Sequence, residues 1–382
     1  MPPLIDIIYN MTAVCPHDCP GCCVDAAYVY RRGQEVIMRV DGLANEIRTP
    51  RGDRSTSIFD QAAKALAELG RELTLEQKMK LLSNVDIDGV RLDVSGGDPL
   101  AVSDNVTVLK AASAKLGRAN VTLTATGSGL ARVDLVELSA LVGEFNFTYD
   151  AAAIDDVADR PDAYASANLA VGRKLAALGA TTRAEFPITS ATNNPDHIRR
   201  LYINLHEAGI EKLLLMRLFP SGRGASIGEK TLSAPEYATA IAQLRDLERE
   251  FGSPKVKLQC ALRFIEAHLG TAPMPEVNPC DMVRESFGLT PLGDLLVSPW
   301  AINAKGRPTG PDFVLGNLVH TPLSEILESA GIAKLRSRTN ENFGHCKFFA
   351  ERFSTRGTTL DRLHDATDPL YAETVSFASA AE

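Results

Sequence analysis

Cysteine and long apolar runs are both scarce in this chain, and each scarcity excludes something. Seven cysteines in 382 residues are too few, and odd in number, for a disulfide framework in a chain long enough to build its own core. Nothing ahead of Cys15 reads as a secretory signal, so the thiols are expected to stay unpaired in a reducing cytoplasm. No apolar run reaches membrane-spanning length. Positive charge is also short: the formal net charge is -8 and the basic residues are scattered, so neither nucleic acid nor a membrane surface is an expected partner. What remains is an ordinary globular composition, 45% hydrophobic and 23% charged, and a small-molecule or short-peptide substrate is expected.

Three of the seven cysteines stand together in Cys15-Pro16-His17-Asp18-Cys19-Pro20-Gly21-Cys22. Gaps of three and then two residues let one short loop fold its thiolates around a metal-sulfur centre. A four-iron cube held by three thiolates keeps one iron open, and an open position is where a metal centre does chemistry. A zinc site completed by His17 or Cys23 is the alternative. Cys23 adjoins Cys22 and reads as a small buried residue beside the site, and His17 as a loop histidine without a catalytic duty.

Apolar and β-branched runs at 4–9, 90–95, 120–126, 144–149, 181–188 and 212–218 read as strands. Amphipathic stretches Phe59–Leu69, Val108–Leu116, Ala165–Leu178 and Pro195–Ala208 lie between them. Asn194-Pro195-Asp196 is a helix start signal, and Gly179 and Gly209 fall where helices should stop. The alternation means βαβ units, six of which would curl into a partial (β/α)6 TIM-like barrel, an α/β fold with working groups at the strands' carboxyl ends. The cysteine loop follows the first strand, and Ser95-Gly96-Gly97-Asp98-Pro99 closes the second. There the paired glycines let bare backbone approach a ligand, and Asp98 offers a carboxylate to a cation. Residues 24–57 exceed what a βα unit needs. They read as an inserted loop carrying Arg31, Arg32, Arg48, Arg51 and Arg54, either a lid over the barrel mouth or a solvated surface loop.

With these motifs in place, the chain resembles the radical S-adenosylmethionine (radical SAM) superfamily. Cys15, Cys19 and Cys22 match its CxxxCxxC motif, and Gly96-Gly97-Asp98-Pro99 its GGEP motif with Asp for Glu. Thr124-Ala125-Thr126-Gly127, Phe147-Thr148-Tyr149-Asp150 and Phe219-Pro220-Ser221-Gly222-Arg223-Gly224 resemble later barrel segments of the family, so the likeness covers residues 4–225. The resemblance implies a [4Fe-4S] cluster on Cys15, Cys19 and Cys22 whose open iron binds the amino and carboxylate groups of S-adenosylmethionine. It implies reductive cleavage of the sulfonium to methionine and a 5'-deoxyadenosyl radical, which takes hydrogen from an unactivated carbon. Gly96, Gly97, Asp98 and Pro99 would hold the methionyl ammonium, and Thr126, Thr148 and Asp150 would lie near methionine or ribose. Gly21 stands where an aromatic residue often helps seat adenine. A flavodoxin- or ferredoxin-type protein would supply the electron.

Three parts follow: a barrel at 1–230, a connecting helix within 231–259 and a smaller α+β extension at 260–382. The extension resembles a SPASM or twitch domain. Thr290-Pro291-Leu292-Gly293-Asp294 and Ser298-Pro299-Trp300 place the only tryptophan where a ligating cysteine belongs, and Leu315-Gly316-Asn317-Leu318, Arg356-Gly357 and Asp368-Pro369 continue the pattern. With only Cys260, Cys280 and Cys346 remaining, the extension reads as degenerate and a second cluster is not expected. Cys260 and Cys280 are instead candidates to return a hydrogen atom to a substrate radical, which would make the net reaction an epimerisation. Dehydrogenation or rearrangement of a sugar, nucleoside or aminocyclitol are the other outcomes expected. A peptide-modifying maturase is the rival within the enzyme reading, disfavoured by a barrel that starts with no leader-binding segment ahead of it. A non-enzymatic iron-sulfur or zinc protein is the rival outside it.

Overall fold

A computed structural model describes residues 5–152, 160–226, 231–268, 270, 272–352, 367, 368 and 370. The six expected strands are present in the expected order: β1 (Ile5–Thr12), β6 (Val90–Gly96), β7 (Val121–Thr124), β8 (Glu144–Thr148), β9 (Thr181–Ile188) and β10 (Lys212–Arg217). The intervening numbers belong to β2 (Val14–Cys15), β3 (Ala27–Arg32), β4 (Glu35–Val40) and β5 (Asn45–Pro50). Each barrel strand splits its residues by parity, as a pleated strand must. Ile7, Tyr9 and Met11 of β1, Phe145 and Phe147 of β8 and Ala184, Phe186 and Ile188 of β9 are 0–1% exposed and pack against the outer helices. The opposite parity, Ile8, Asn10, Asp93, Ser95, Thr124, Thr148, Arg183, Glu185, Leu214 and Met216, faces a common cavity. A sheet whose successive strands aim into one cavity is curled, as in a partial TIM-like barrel.

The helices obey the local signals. Asn194 accepts from the Asp196 and His197 backbone N–H groups and opens Pro195–Glu207, while Gly179 and Gly209, at φ +76° and +71°, follow the ends of two helices. Ser233 and Glu236 form a capping box that starts the connecting helix, Ala234–Phe251.

The parallel run is longer than six strands. The connecting helix leads into β11 (Lys255–Leu258), which pairs in parallel with β10, and β12 (Ser286–Leu289) pairs in parallel with the other side of β1. Two antiparallel strands, β13 (Asp294–Leu296) and β14 (Val314–Asn317), follow, giving the sheet order β11-β10-β9-β8-β7-β6-β1-β12-β13-β14. The C-terminal extension therefore continues the barrel sheet, and its Phe287, Leu289, Leu295 and Leu296 join the same hydrophobic core. Arg356, Gly357 and Pro369 lie outside the described residues.

The expected inserted loop is a folded unit. β2, β3, β4 and β5 form a second sheet in that order, mostly antiparallel. Val29, Val36, Met38 and Val40 pack with Ala62 and Leu66 of the helix Ile58–Glu68 in a separate small core. Alternating buried and exposed positions in a hairpin supply their own packing partner; of the segment 24–57, Val24 and Ala26 line the cavity and no residue from 27 to 57 does.

Candidate active site

Cys15 ends β2, and the chain then turns through Cys19 and Cys22 at the mouth of a cavity of about 250 Å³ that all three line. Burial pushes the Cys15 and Cys19 thiols up, with Asp98 and then Cys22 adding to the rise at Cys15 and Cys22 to that at Cys19. The Ala26 N–H donates to Cys22 Sγ at 3.4 Å. Three soft, converging thiols on a cavity wall fit an iron-sulfur cluster better than a hard cation. Among the described residues, no three His, Cys, Asp or Glu groups are placed to hold a single metal ion. His17 turns to Ser128, its Nε2 lying 3.1 Å from Ser128 Oγ, and its ring meets Tyr164 edge-on at 5.0 Å.

The turn after β10 clamps this loop. Arg223 is 7% exposed; its Nε donates to the Cys19 carbonyl at 2.9 Å, and its Nη1 to Asp25 Oδ1 and the Ala26 carbonyl, each at 2.8 Å. The Arg223 N–H donates to the Cys22 carbonyl at 2.8 Å and Ser221 Oγ to the Cys23 carbonyl at 3.0 Å. Gly222 makes the approach feasible, since a Cβ there would lie 2.5 Å from the Cys22 carbonyl oxygen.

Gly96 and Gly97 also line the cavity, for a reason the motif alone does not give. A Cβ on Gly96 would stand 2.5 Å from the Thr12 carbonyl oxygen and one on Gly97 2.2 Å from that of Val14. Bare backbone is needed for the chain segment that leads into the cysteine loop, which Gly97 and Asp98 bind through N–H bonds of 2.8 Å to the same two carbonyls.

Asp98 departs from its expected role. It is 0% exposed and does not line the cavity. Its carboxylate accepts from Thr126 Oγ1 and from the Leu100 N–H at 3.2 Å, capping the short turn Pro99–Ala101. Pro99, at the first position of that turn, is likewise buried away from the cavity.

Gly21, Thr126 and Thr148 line the cavity, whereas Asp150 does not. Asp150 accepts from Arg160 Nε at 2.9 Å, and Arg160 does line it, with its guanidinium 5.4 Å from the Tyr164 ring centre. Arg160 and Tyr164 were not legible as site residues because nothing in their local sequence marks them. Cys23 is a lining residue too; burial, and then Cys22 beside it, pushes its thiol up to about 12. Trp300 stacks on Phe219, ring centres 3.9 Å apart, and both face the cavity.

Cys260 and Cys280, the expected hydrogen-atom donors, are not among the residues that line the cavity. They lie close enough to each other and to Cys346 to raise one another's pKa, burial being the larger cause. Gln259, which precedes Cys260 in sequence, lines the cavity, as does Arg217. Arg217 makes a buried ion pair with Asp368, at 2.6 and 3.1 Å, and Asp368 also accepts from the Cys346 N–H at 3.2 Å.

No family model matches the sequence, and no curated protein does. Solved structures do share the fold. The protein anSMEcpe, solved with bound AdoMet and the Cp18Cys peptide, is 14% identical with a TM-score of 0.57, over 100% of this chain and 98% of that one. SuiB of Streptococcus suis, bound to precursor peptide SuiA, is 13% identical with a TM-score of 0.60, over 96% of this chain and 75% of that one. SuiB has also been solved with S-adenosylmethionine, at 13% identity and a TM-score of 0.60. These neighbours are radical SAM enzymes, and this chain has their fold.

Proposed function

We propose that this chain is a radical SAM enzyme. The observation that carries the reading is the meeting, at one cavity mouth, of three converging thiols on the Cys15–Cys22 loop with the Gly96-Gly97 strand end. Cys15, Cys19 and Cys22 would hold a [4Fe-4S] cluster, leaving a coordination position for AdoMet, which the solved neighbours carry. When bound, the pair would supply reductive sulfonium cleavage and abstraction of a substrate hydrogen atom. The chain's own residues do the rest. Arg223 fixes the loop backbone, Gly96 and Gly97 offer bare backbone beside it, and Thr126 and Thr148 supply hydroxyls on the cavity wall. Phe219 and Trp300 give an apolar wall that excludes water.

The substrate reading is a small natural-product precursor, a sugar, nucleoside or aminocyclitol, altered at an unactivated carbon by epimerisation, dehydrogenation or rearrangement. A short peptide is the second reading, favoured by the peptides bound to anSMEcpe and SuiB. The residues from 260 onward read as a degenerate SPASM or twitch extension without a second cluster. A flavodoxin- or ferredoxin-type protein would deliver the electron in a reducing cytoplasm. The test is anaerobic reconstitution with iron and sulfide, then incubation with AdoMet and dithionite. Release of 5'-deoxyadenosine by the wild type, and none by Cys19→Ala, is expected; intact AdoMet would leave an electron carrier or zinc protein as the reading.

A further inference from the structure

A ladder of ion pairs runs along the barrel strands, and of its members Arg183 and Glu185 line the cavity. Asp6 pairs with Arg91 at 2.7 Å, Glu144 with Lys212 at 2.6 Å, and Arg183 with both Glu144 at 3.1 Å and Glu185 at 3.2 Å. Asp93, a cavity-lining residue on β6, has no cation within ion-pair distance among the described residues. It is held by neutral donors only, Thr124 Oγ1 at 2.9 Å and Asn146 Nδ2 at 3.5 Å. Arg183, and less strongly Arg91, act on Asp93 only from beyond ion-pair distance, so its buried carboxylate has room for a cation in direct contact.

Two amides beside it point the same way. Asn10 lines the cavity and is 4% exposed, Asn146 is 1% exposed, and the Oδ1 of each is buried without a hydrogen-bond partner. In the β1–β6 register Ile8 faces Asp93 and Asn10 faces Ser95, which sets Asn10 diagonally across from Asp93, roughly 7 Å away. All three groups are acceptors, and their missing complement is a donor with positive charge. A hydroxyl would satisfy the amide oxygens but not the charge; an ammonium supplies three N–H donors and the charge together.

We propose that Asp93, with Asn10 and Asn146, binds an ammonium group of the substrate. The site is distinct from the strand end that faces the cysteine loop: Asp93 lies three residues upstream of Gly96 on β6, about 10 Å deeper. This deepens the functional reading and rests on it, in that the cavity is taken as the substrate site. The amine would belong to an aminocyclitol or amino sugar, or to a lysine side chain or N-terminus of a peptide.

The test is calorimetric titration of the reconstituted full chain with two matched pairs of probes. One pair is 2-deoxystreptamine and scyllo-inositol, and the other a lysine-containing hexapeptide and its norleucine counterpart. In at least one pair the amine should bind about tenfold or more tightly than its amine-free partner, and that pair identifies the source. Asp93→Asn should remove the preference, and Asn10→Leu should weaken it. Equal binding within both pairs, no binding of either amine, or an unchanged preference in a folded Asp93→Asn protein would each overturn the proposal. Wild-type discrimination decides the matter even if Asp93→Asn does not fold. AdoMet cleavage is read separately: amine selectivity without cleavage overturns the enzyme reading alone, and cleavage without amine selectivity overturns this inference alone.

Discussion

Thr126 donates its hydroxyl to the Asp98 carboxylate and so ties the end of β7 to the end of β6. The same hydroxyl accepts from the Gly129 N–H at 3.3 Å, and a Cβ on Gly129 would lie 2.1 Å from Asp98 Oδ1, so the two strand ends and the turn beyond them interlock. Asp98 thus acts as a brace that positions its neighbouring glycines.

That brace should leave a signature in the pH dependence of stability. Burial pushes the Asp98 carboxyl up to about 6, against the lowering effect of its hydrogen bonds. A carboxyl raised on folding binds its proton more tightly in the folded state, so its contribution is full below about pH 4 and is lost as pH rises through about 6. Asp98→Asn removes this titration. Urea unfolding across pH 4 to 7 should show a flatter curve for the variant, by up to about 3 kcal/mol over the window, and parallel curves would contradict the assignment.

Gly97→Ala should cost about 3 kcal/mol or more of stability and most of the AdoMet cleavage, because the added methyl meets the Val14 carbonyl at 2.2 Å. Gly33→Ala, where φ is +61° but nothing lies within 4 Å, should cost only about 1 kcal/mol through backbone strain and leave cleavage intact. Unfolding midpoints and product release on both variants check the contrast.

The barrel was legible because its strands carry period-2 burial and its helices carry caps. β6, β9 and the helix Pro195–Glu207 fall within two residues of where Val90, Thr181 and Asn194-Pro195 set them. The cysteine loop was legible from spacing, as three thiols that line one cavity lie within eight residues. What was hidden depends on contacts between distant segments. β12 joins β1 across nearly 280 residues of chain, and no local pattern announces such a pairing. A motif specifies the residue type of Asp98 but not that Thr126 donates to its carboxylate, and no local pattern announces that Arg217 and Gln259 line the cavity.

Arg223 is expected to govern cluster retention. Arg223→Met deletes the bonds to Cys19 and Ala26 and leaves Asp25 buried without its partner, a loss of about 3 to 5 kcal/mol for a buried pair. The variant should hold less iron after desalting than the wild type, and Arg223→Lys should recover only part of it, since an ammonium lacks the guanidinium fork. Equal iron in all three proteins would show that the clamp is unimportant.

In the proposed site Cys15, Cys19 and Cys22, and not their neighbour Cys23, would hold the cluster and leave one iron open to AdoMet. Its most direct test is electron paramagnetic resonance of the dithionite-reduced protein before and after AdoMet is added, on the wild type and on Cys23→Ser. Both should give a reduced [4Fe-4S] signal that changes on adding AdoMet. A signal indifferent to AdoMet in the wild type, or lost in Cys23→Ser, would contradict the account.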